Sequence, residues 1–351
     1  MRDENFPEGS LPDAGGGRNR TGWIAAWLLL AVIVMAALAI GKYEITLAQA
    51  FHVMGAKLTG ASSGLPPTVE TVVWNVRLPR VLCGLAVGAA LAVSGAVYQG
   101  LFRNPLVSPD ILGVSAGASL GAICGIFFSL PVLAIQGLSF VGGLAAVAVV
   151  YALGSLARER DPVLLLVLAG IAMGALLGAC ISLLKVLADP YNQLPAITFW
   201  LLGSLASTTR GDLLSILPAI ILGLVPMILL RWRMNVMTLD DEEARALGVE
   251  TARTRLALIA AATLMTSAAV SVSGIIGWIG LLVPHVARAL VGPDFSRLLP
   301  AAFLLGGGYL VAMDTLARSA AAIEIPLGIL TAAVGAPFFL WLLVSTRRGW
   351  A

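Results

Sequence analysis

The sequence predicts an all-α membrane protein that crosses the bilayer with about ten helices. Hydrophobic residues make up 59% of the 351 residues and charged residues only 12%, and the mean hydropathy is +0.94. A soluble domain is about 45–50% apolar and about 25% charged, so this chain has too few polar residues to cover a water-facing surface. The net charge of +3 is small and does not indicate a nucleic-acid partner.

Residues 1–22 are polar and rich in glycine and charge, which predicts a disordered tail ahead of a transmembrane domain at 23–351. The first apolar run, 23–41, is long enough to span a bilayer. A cleaved signal peptide is the alternative, because Leu47-Ala-Gln-Ala50 resembles a cleavage site. The run is too long for a signal core, and polar residues separate it from that site.

The remaining apolar runs predict nine further segments. A single upright helix needs only about 20 residues, so the long stretch from 256 to 293 is divided at Pro284. The predicted segments are 81–101, 111–130, 138–157, 163–187, 213–230, 256–282, 285–293, 298–320 and 326–345.

Basic residues indicate the orientation. Ten segments place both termini on one side, and the loops of that side carry most of the arginines, so it is predicted to be cytoplasmic. The other side would hold the smaller set Lys42, Lys57, Arg77, Arg80, Lys185, Arg210, Arg288 and Arg318. Arg77, Arg80 and Arg318 oppose the trend. They either reach lipid headgroups or form a docking surface for an acidic protein.

Glycines recur every four residues in two segments. This spacing places them on one helix face and lets a neighbouring helix approach closely. We therefore predict close helix packing, which a dimer seam could also use, at Gly113, Gly117, Gly121 and Gly125 and at Gly170, Gly174 and Gly178.

Two stretches resemble each other. Val93-Ser-Gly-Ala-Val97 is similar to Val272-Ser-Gly-Ile-Ile276, and the same offset brings Pro105 onto Pro284. An odd number of crossings separates the two, which predicts an inverted internal repeat of helices with Ser-Gly inside and a proline break at the end. Chance similarity between apolar helices is the alternative.

The largest inner loop runs from 231 to 255. Its centre, Leu239-Asp-Asp-Glu-Glu-Ala-Arg-Ala-Leu-Gly248, begins with acidic residues and ends with glycine, which predicts a short helix. This helix is either a solvated loop element or a lever held by a cytoplasmic partner.

Few groups in the segments could perform chemistry. Asp314 and Arg318 lie one turn apart and are expected to pair near the outer interface. The three cysteines are isolated, and His285 has no second ligand at metal spacing, so no metal site is predicted. The chain has no Walker A pattern. Any ATP used would therefore be hydrolysed, with its Mg²⁺, on another subunit.

An ordered set of motifs resembles the permease subunits of ABC importers for iron-siderophores, haem and cobalamin (the FecCD type). The motifs cover nearly the whole chain after residue 22. They include Arg77-Leu-Pro-Arg80, Arg103-Asn-Pro-Leu106, Leu112-Gly-Val-Ser-Ala-Gly117, Trp200-Leu-Leu-Gly-Ser204, Ala246-Leu-Gly248, Ile279-Gly-Leu-Leu-Val-Pro-His285 and Pro326-Leu-Gly-Ile-Leu-Thr331.

The resemblance implies roles for three groups of residues. Arg77, Arg80 and Arg318 match outer arginines that meet glutamates of a binding protein, and Asn104, Pro105 and Leu106 match an inner gate. The segment containing Glu243, Ala246, Leu247 and Gly248 matches the helices that couple the permease to its ATPase.

The resemblance also implies the assembly and the activity. Two permease subunits, identical or closely related, would lie in the inner membrane of a bacterium or archaeon above an ATPase dimer. A periplasmic or lipid-anchored protein would deliver a metal chelate, with a ferric siderophore as the first expectation. Haem, cobalamin and oxyanions are open alternatives. An ion-coupled secondary transporter and a membrane-embedded enzyme are less favoured, because few titratable groups lie within the segments.

Overall fold

The computed structural model describes residues 16–156 and 162–345, and these residues form helices joined by turns, with no strand among them. The α-helices are α1 (Gly16–Ala39), α2 (Leu47–Thr59), α3 (Pro67–Thr71), α4 (Leu78–Leu101), α5 (Val114–Phe127), α6 (Val132–Leu156), α7 (Pro162–Leu187), α8 (Gln193–Leu201), α9 (Arg210–Leu229), α10 (Arg231–Val236), α11 (Asp241–Ala246), α12 (Thr251–Ser273), α13 (Ile279–Val291), α14 (Phe295–Ser319) and α15 (Leu327–Ser345). A π-helical stretch (Val72–Arg77) joins α3 to α4, and a 3₁₀ turn (Pro109–Leu112) precedes α5.

The predicted membrane fold is confirmed. In the described residues, seven helical stretches are long and apolar enough to cross a bilayer, and three shorter apolar helices complete the ten predicted segments. The long stretches are Thr21–Ala39, Pro67–Leu101, Val132–Ser155, Val163–Leu187, Arg210–Leu229, Thr251–Ser273 and Phe295–Ser319, and the shorter ones are Val114–Phe127, Ile279–Val291 and Leu327–Trp341. Helix α1 begins at Gly16, so the predicted disordered tail, residues 1–22, overlaps the start of this helix. Residues 1–15 lie outside the described residues.

Helix α4 is the centre of the bundle. Its span is 83% buried, whereas those of α1 and α7 are each 11% buried. The centre is packed through backbone contacts, since a side chain at Gly88 would collide with Gly306 of α14 and one at Gly95 with Gly280 of α13. Association in a membrane depends on such close packing, because lipid is as apolar as the helices.

The predicted break at Pro284 is wrong. Helix α12 ends at Ser273, Gly274 follows with φ of +67°, and Pro284 lies inside α13. A proline inside a helix leaves the carbonyl four residues earlier without its N–H partner. That carbonyl belongs to Gly280, and the side-chain amide of Gln99 donates to it at 3.4 Å.

This boundary corrects two further predictions. Ser94 and Gly95 lie inside α4, but Ser273 and Gly274 end α12, so the second copy of the repeat is not a helix with Ser-Gly inside it. Arg288 was predicted to lie on the outer side, with the segment after Pro284. In the structure it donates to Gln99 near the end of α4 at 3.0 Å, so it lies at the opposite end from Arg80.

We name the two ends of the bundle by what they carry. At the Arg80 end, α1 and α14 finish and α4 and α15 begin; at the α11 end, α4 finishes and α12 begins. Both the start of α1 and the end of α15 therefore point to the α11 end.

Candidate functional site

The α11 surface comprises residues 239–248 and projects from one end of the described chain. Asp240 is extended before the first turn, and Ala244 and Val249 are buried beneath it. The Val249 N–H donates to the Ala244 carbonyl at 3.0 Å, which closes the helix after Gly248, where φ is +81°. The short helix is thus present as the acidic start and glycine end predict.

The predicted coupling residues all lie on the outside of this helix. Glu243, Ala246, Leu247 and Gly248 are exposed, and Leu247 has 55% of its surface accessible. Leu239 is also exposed, at 41%. A projecting helix that combines exposed leucines with carboxylates has the composition of a protein contact surface. A hollow of about 530 Å³, lined by Arg245 and by residues 248–253, lies next to it.

The predicted gate residues form a tight loop at the end of α4. The Asn104 N–H donates to the Gln99 carbonyl at 3.1 Å, and the Asn104 side-chain oxygen accepts from the Leu106 N–H at 2.9 Å. Asn104 and Leu106 are exposed and Pro105 is half-buried. The loop is therefore held to α4 by its own hydrogen bonds and presents its polar and apolar side chains outward.

The predicted packing glycines divide into three groups. A side chain at Gly117 or Gly121 would collide with α6, and one at Gly170 would collide with the backbone of the 3₁₀ turn. Gly113 instead occupies the left-handed region, with φ of +82°, and connects that turn to α5, so its predicted packing role is corrected. A side chain at Gly174 or Gly178 would have no neighbour within 4 Å, so these two glycines lie on an open face of α7.

Arg77 is buried rather than exposed. Its guanidinium donates to three backbone carbonyls at and just beyond the end of α1, those of Leu38, Ala39 and Tyr43, and the bond to Ala39 measures 2.7 Å. The last carbonyls of a helix have no partners within the helix and carry partial negative charge. Arg77 therefore caps α1.

Arg80 and Arg318 are also buried, each only 6% exposed. Arg80 binds both carboxylate oxygens of Asp314 at 2.9–3.0 Å and also pairs with Glu324 at 2.9 Å. Arg318 donates to the Ala37 carbonyl and lies 3.8 Å from Asp314. The expected pairing of Asp314 with Arg318 is thus secondary to that with Arg80.

Glu324 is a functional candidate that the sequence analysis missed. It lies in the turn between α14 and α15. Burial opposes its ionisation, but the hydrogen bond from Arg80 and the positive charge of Arg80 outweigh that effect, so the pKa of Glu324 is lowered. Its only sequence signal is a carboxylate just before Pro326 in an otherwise apolar region.

The end of α8, the end of α12 and the start of α15 meet at one buried junction. The Ser204 N–H donates to the Ser273 carbonyl at 2.8 Å, the Leu327 N–H to the Gly203 carbonyl at 3.0 Å, and the Gly328 N–H to the Leu202 carbonyl at 2.9 Å. Irregular backbone within a membrane is stable only where protein or a water-filled cavity covers it, and in transporters it marks the pathway. The junction of α8, α12 and α15 is therefore the candidate path.

The candidate site has four parts, which are the two ends of the bundle, the junction of helix ends and the α11 surface. Within residues 16–156 and 162–345, no three histidine, cysteine or acidic side chains are grouped as metal ligands.

Comparison with known proteins agrees with this architecture. The sequence profile of the FecCD transport family matches residues 29–345. The chain is 38% identical over 322 residues to the molybdate import system permease protein MolB of Haemophilus influenzae, covering 92% of this chain and 95% of that protein. It is 44% identical over 281 residues to the cobalamin import system permease protein BtuC of Halobacterium salinarum, covering 80% of this chain and 75% of that protein.

A solved structure shares the fold. It is described as a putative metal-chelate type ABC transporter in an inward-facing conformation, and it matches with a TM-score of 0.83 and 36% identity over 93% of this chain and 99% of that chain. The family resemblance carried by the sequence motifs is thereby confirmed. This multi-pass membrane chain belongs to the FecCD transport family and is a permease of the ABC importer type, a transport component that is not itself catalytic.

Proposed function

We propose that this chain is the permease subunit of an ATP-driven importer that carries a metal chelate across the inner membrane after a binding protein delivers it. The observation that carries the proposal is the α11 surface, on which Glu243, Ala246, Leu247 and Gly248 are exposed in a chain of this family. ATP and Mg²⁺ would be held by the partner ATPase.

The α11 end is cytoplasmic in this proposal, and with it both termini. Closure of an ATPase dimer on ATP displaces α11, the two permease subunits rock against each other, and the Asn104–Leu106 loop opens or closes the inner mouth of the path. The positive-inside rule supports this orientation, because the arginine-rich loops lie at the α11 end.

A second permease subunit, identical or closely related, would pack against α7. This helix has an 11% buried span, exposed leucines, and an open face at Gly174 and Gly178. Lipid and the second subunit would share this surface, and the absence of side chains at the two glycines supports close helix contact.

The binding protein would dock at the Arg80 end. Direct contact with Arg77, Arg80 and Arg318 requires these side chains to exchange their internal partners for carboxylates of the binding protein. Docking through other groups of the same end leaves the internal bonds in place. Measurement of both stability and binding-protein affinity after replacement of Arg80 distinguishes these two modes of docking.

A metal chelate is the proposed class of substrate, with a ferric siderophore as the first to test. A cobalamin permease and a metal-chelate type transporter are among the similar proteins, whereas the molybdate permease keeps an oxyanion open. An ion-coupled secondary transporter is not favoured, because the family consists of ABC importer permeases.

The test is purification of the tagged chain from its host in mild detergent, followed by mass spectrometry of the proteins that copurify. We expect an ATPase, and we expect the double variant Ala246→Asp/Leu247→Asp to lose it. Leu58→Asp is the matched control, because Leu58 is 79% exposed at the Arg80 end. Transport by the chain alone in vesicles without ATP would overturn the proposal. Retention of the ATPase by the double variant would refute the α11 assignment.

A further inference from the structure

The loop that carries the gate residues is tied directly to α11 by charge. The Arg103 guanidinium donates to Asp240, and its second terminal nitrogen lies 3.2 Å from the Asp241 carboxylate. These residues are 137 and 138 positions apart in the chain. The contact therefore joins the end of α4 to the start of the helix proposed to meet the ATPase.

Asp241 extends the connection to a third element. Both of its oxygens accept from a terminal nitrogen of Arg255, at 3.0 and 3.1 Å. Arg255 is only 6% exposed and belongs to the second turn of α12, whose other end forms part of the junction with α8 and α15. We name Arg103, Asp240, Asp241 and Arg255 together the Arg103 clasp.

Helix α11 has few other attachments. Ala244 is its one buried residue, and most of its other side chains are exposed. The Asn104–Leu106 loop, in turn, is bonded to the end of α4 through its own backbone. A displacement of α11 must therefore either break the clasp or move the loop with it.

Arg103 also has a backbone suited to this contact. Its φ of +47° lies in the left-handed region, which a non-glycine residue enters at a cost. This conformation lets the chain turn sharply out of α4 while the long side chain spans to α11. Two forked hydrogen bonds to separate carboxylates also fix direction in a way that a lysine ammonium does not.

We propose that Arg103 is a positioning residue that transmits movement of α11 to the gate loop through the Arg103 clasp. The inference rests on the proposed function of this chain as an importer permease. The pair between Arg103 and Asp240 is partly solvated, with the Asp240 side chain 81% exposed. Exposed ion pairs contribute little to folding stability, so the pair between Arg103 and Asp240 is suited to coupling and its loss should spare the fold.

The test measures substrate transported per ATP hydrolysed, using the complete importer in proteoliposomes. Arg103→Ala should lower this ratio by about fivefold or more, the lower limit of typical coupling between sites. ATPase binding and hydrolysis should persist. Asp240→Asn should act in the same direction without unfolding α11, because asparagine is as good as aspartate before a first turn.

Reversal of the charges gives the sharper readout. Each single change, Arg103→Asp or Asp240→Arg, should lower the amount of substrate transported per ATP hydrolysed. The two changes combined should restore much of that ratio. Lys57→Ala is the matched control, since it removes a partly exposed ion pair of 2.8 Å with Glu70 at the Arg80 end, and it should leave the ratio unchanged.

The outcomes are separable. An unaltered ratio in both Arg103→Ala and Asp240→Asn overturns the clasp and leaves the importer proposal intact. A lowered ratio that the reversed pair does not improve also rejects a charge-mediated connection. Wild-type vesicles that transport without ATP overturn the proposed function itself.

Discussion

Replacement of Arg80 by methionine tests whether the arginines of the Arg80 end hold the fold or meet a partner. The change leaves the Asp314 carboxylate, 2% exposed, without its hydrogen bonds from Arg80, and Arg318 stays 3.8 Å away. Removal of one partner from a buried ion pair costs about 3–5 kcal/mol. We expect a loss near the lower limit of that range, because Glu324, with 32% of its side chain exposed, can return to water.

The assay is thermal unfolding of the purified chain in detergent, with Glu324→Gln as the matched control. That control removes only the more exposed partner and should cost about 1 kcal/mol or less. The double variant Arg80→Met/Asp314→Leu removes the unpaired charge and should recover much of the lost stability.

An unchanged melting temperature of the Arg80→Met variant, together with a loss of its affinity for the binding protein in a titration, would contradict this reasoning. Arg80 would then be a docking residue, as the sequence resemblance implies, and its pairing with Asp314 would be of no structural consequence.

Two further predictions concern packing and acid stability. Gly121→Ala should sharply lower the yield of folded protein, because its methyl group would collide with a backbone carbonyl of α6. Gly55→Ala is the control and should fold normally, because the space around Gly55 is open. Size-exclusion profiles distinguish the two variants, and equal profiles would disprove the close contact at Gly121. The pKa of Asp294 is lowered from 3.8 to about 2 by hydrogen bonds from the Ser296 side chain and N–H and from Asn235. Its stabilisation should therefore be complete above about pH 4 and disappear as the pH falls towards about 2. Asp294→Asn should lack this loss in acid unfolding curves, and an identical acid response in both proteins would refute it.

Segment positions were predictable from the sequence because each span must satisfy its backbone internally and cover itself with apolar side chains. One exception has its cause in the tertiary structure. Helix α6 begins at Val132, ahead of the predicted start at residue 138, because Gln136 finds a partner in Asp212 at 2.7 Å and so tolerates an apolar setting.

The interruption near α13 could not be read from the chain alone. Proline is the stronger breaker by propensity, yet Pro284 continues a helix because Gln99, 181 residues away from Gly280, satisfies the carbonyl that it leaves free. Gly274 breaks the helix instead, where the backbone must approach Trp200 and Gly203 too closely for a side chain.

The parts of the candidate site that depend on local sequence signals were predictable, and the parts that depend on distant contacts were not. The α11 surface depends on local signals, an acidic start and a terminal glycine, and it lies where they place it. Arg77 and Arg318 depend on distant backbone carbonyls and Arg80 on distant carboxylates, and no periodicity in α4 or α14 reveals those partners. Arg103 was visible as a charge before Asn104, but its contact with Asp240 required the tertiary structure.

The attachment of α1 has a consequence for the order of membrane assembly. The Ala37 carbonyl is bonded by Arg318, 281 residues later in the chain, and α1 itself is only 11% buried. Helix α1, which leaves the ribosome before α14, therefore cannot complete its end until α14 has been synthesised and inserted. Throughout that interval, lipid headgroups and water must satisfy carbonyls that arginine holds in the finished protein.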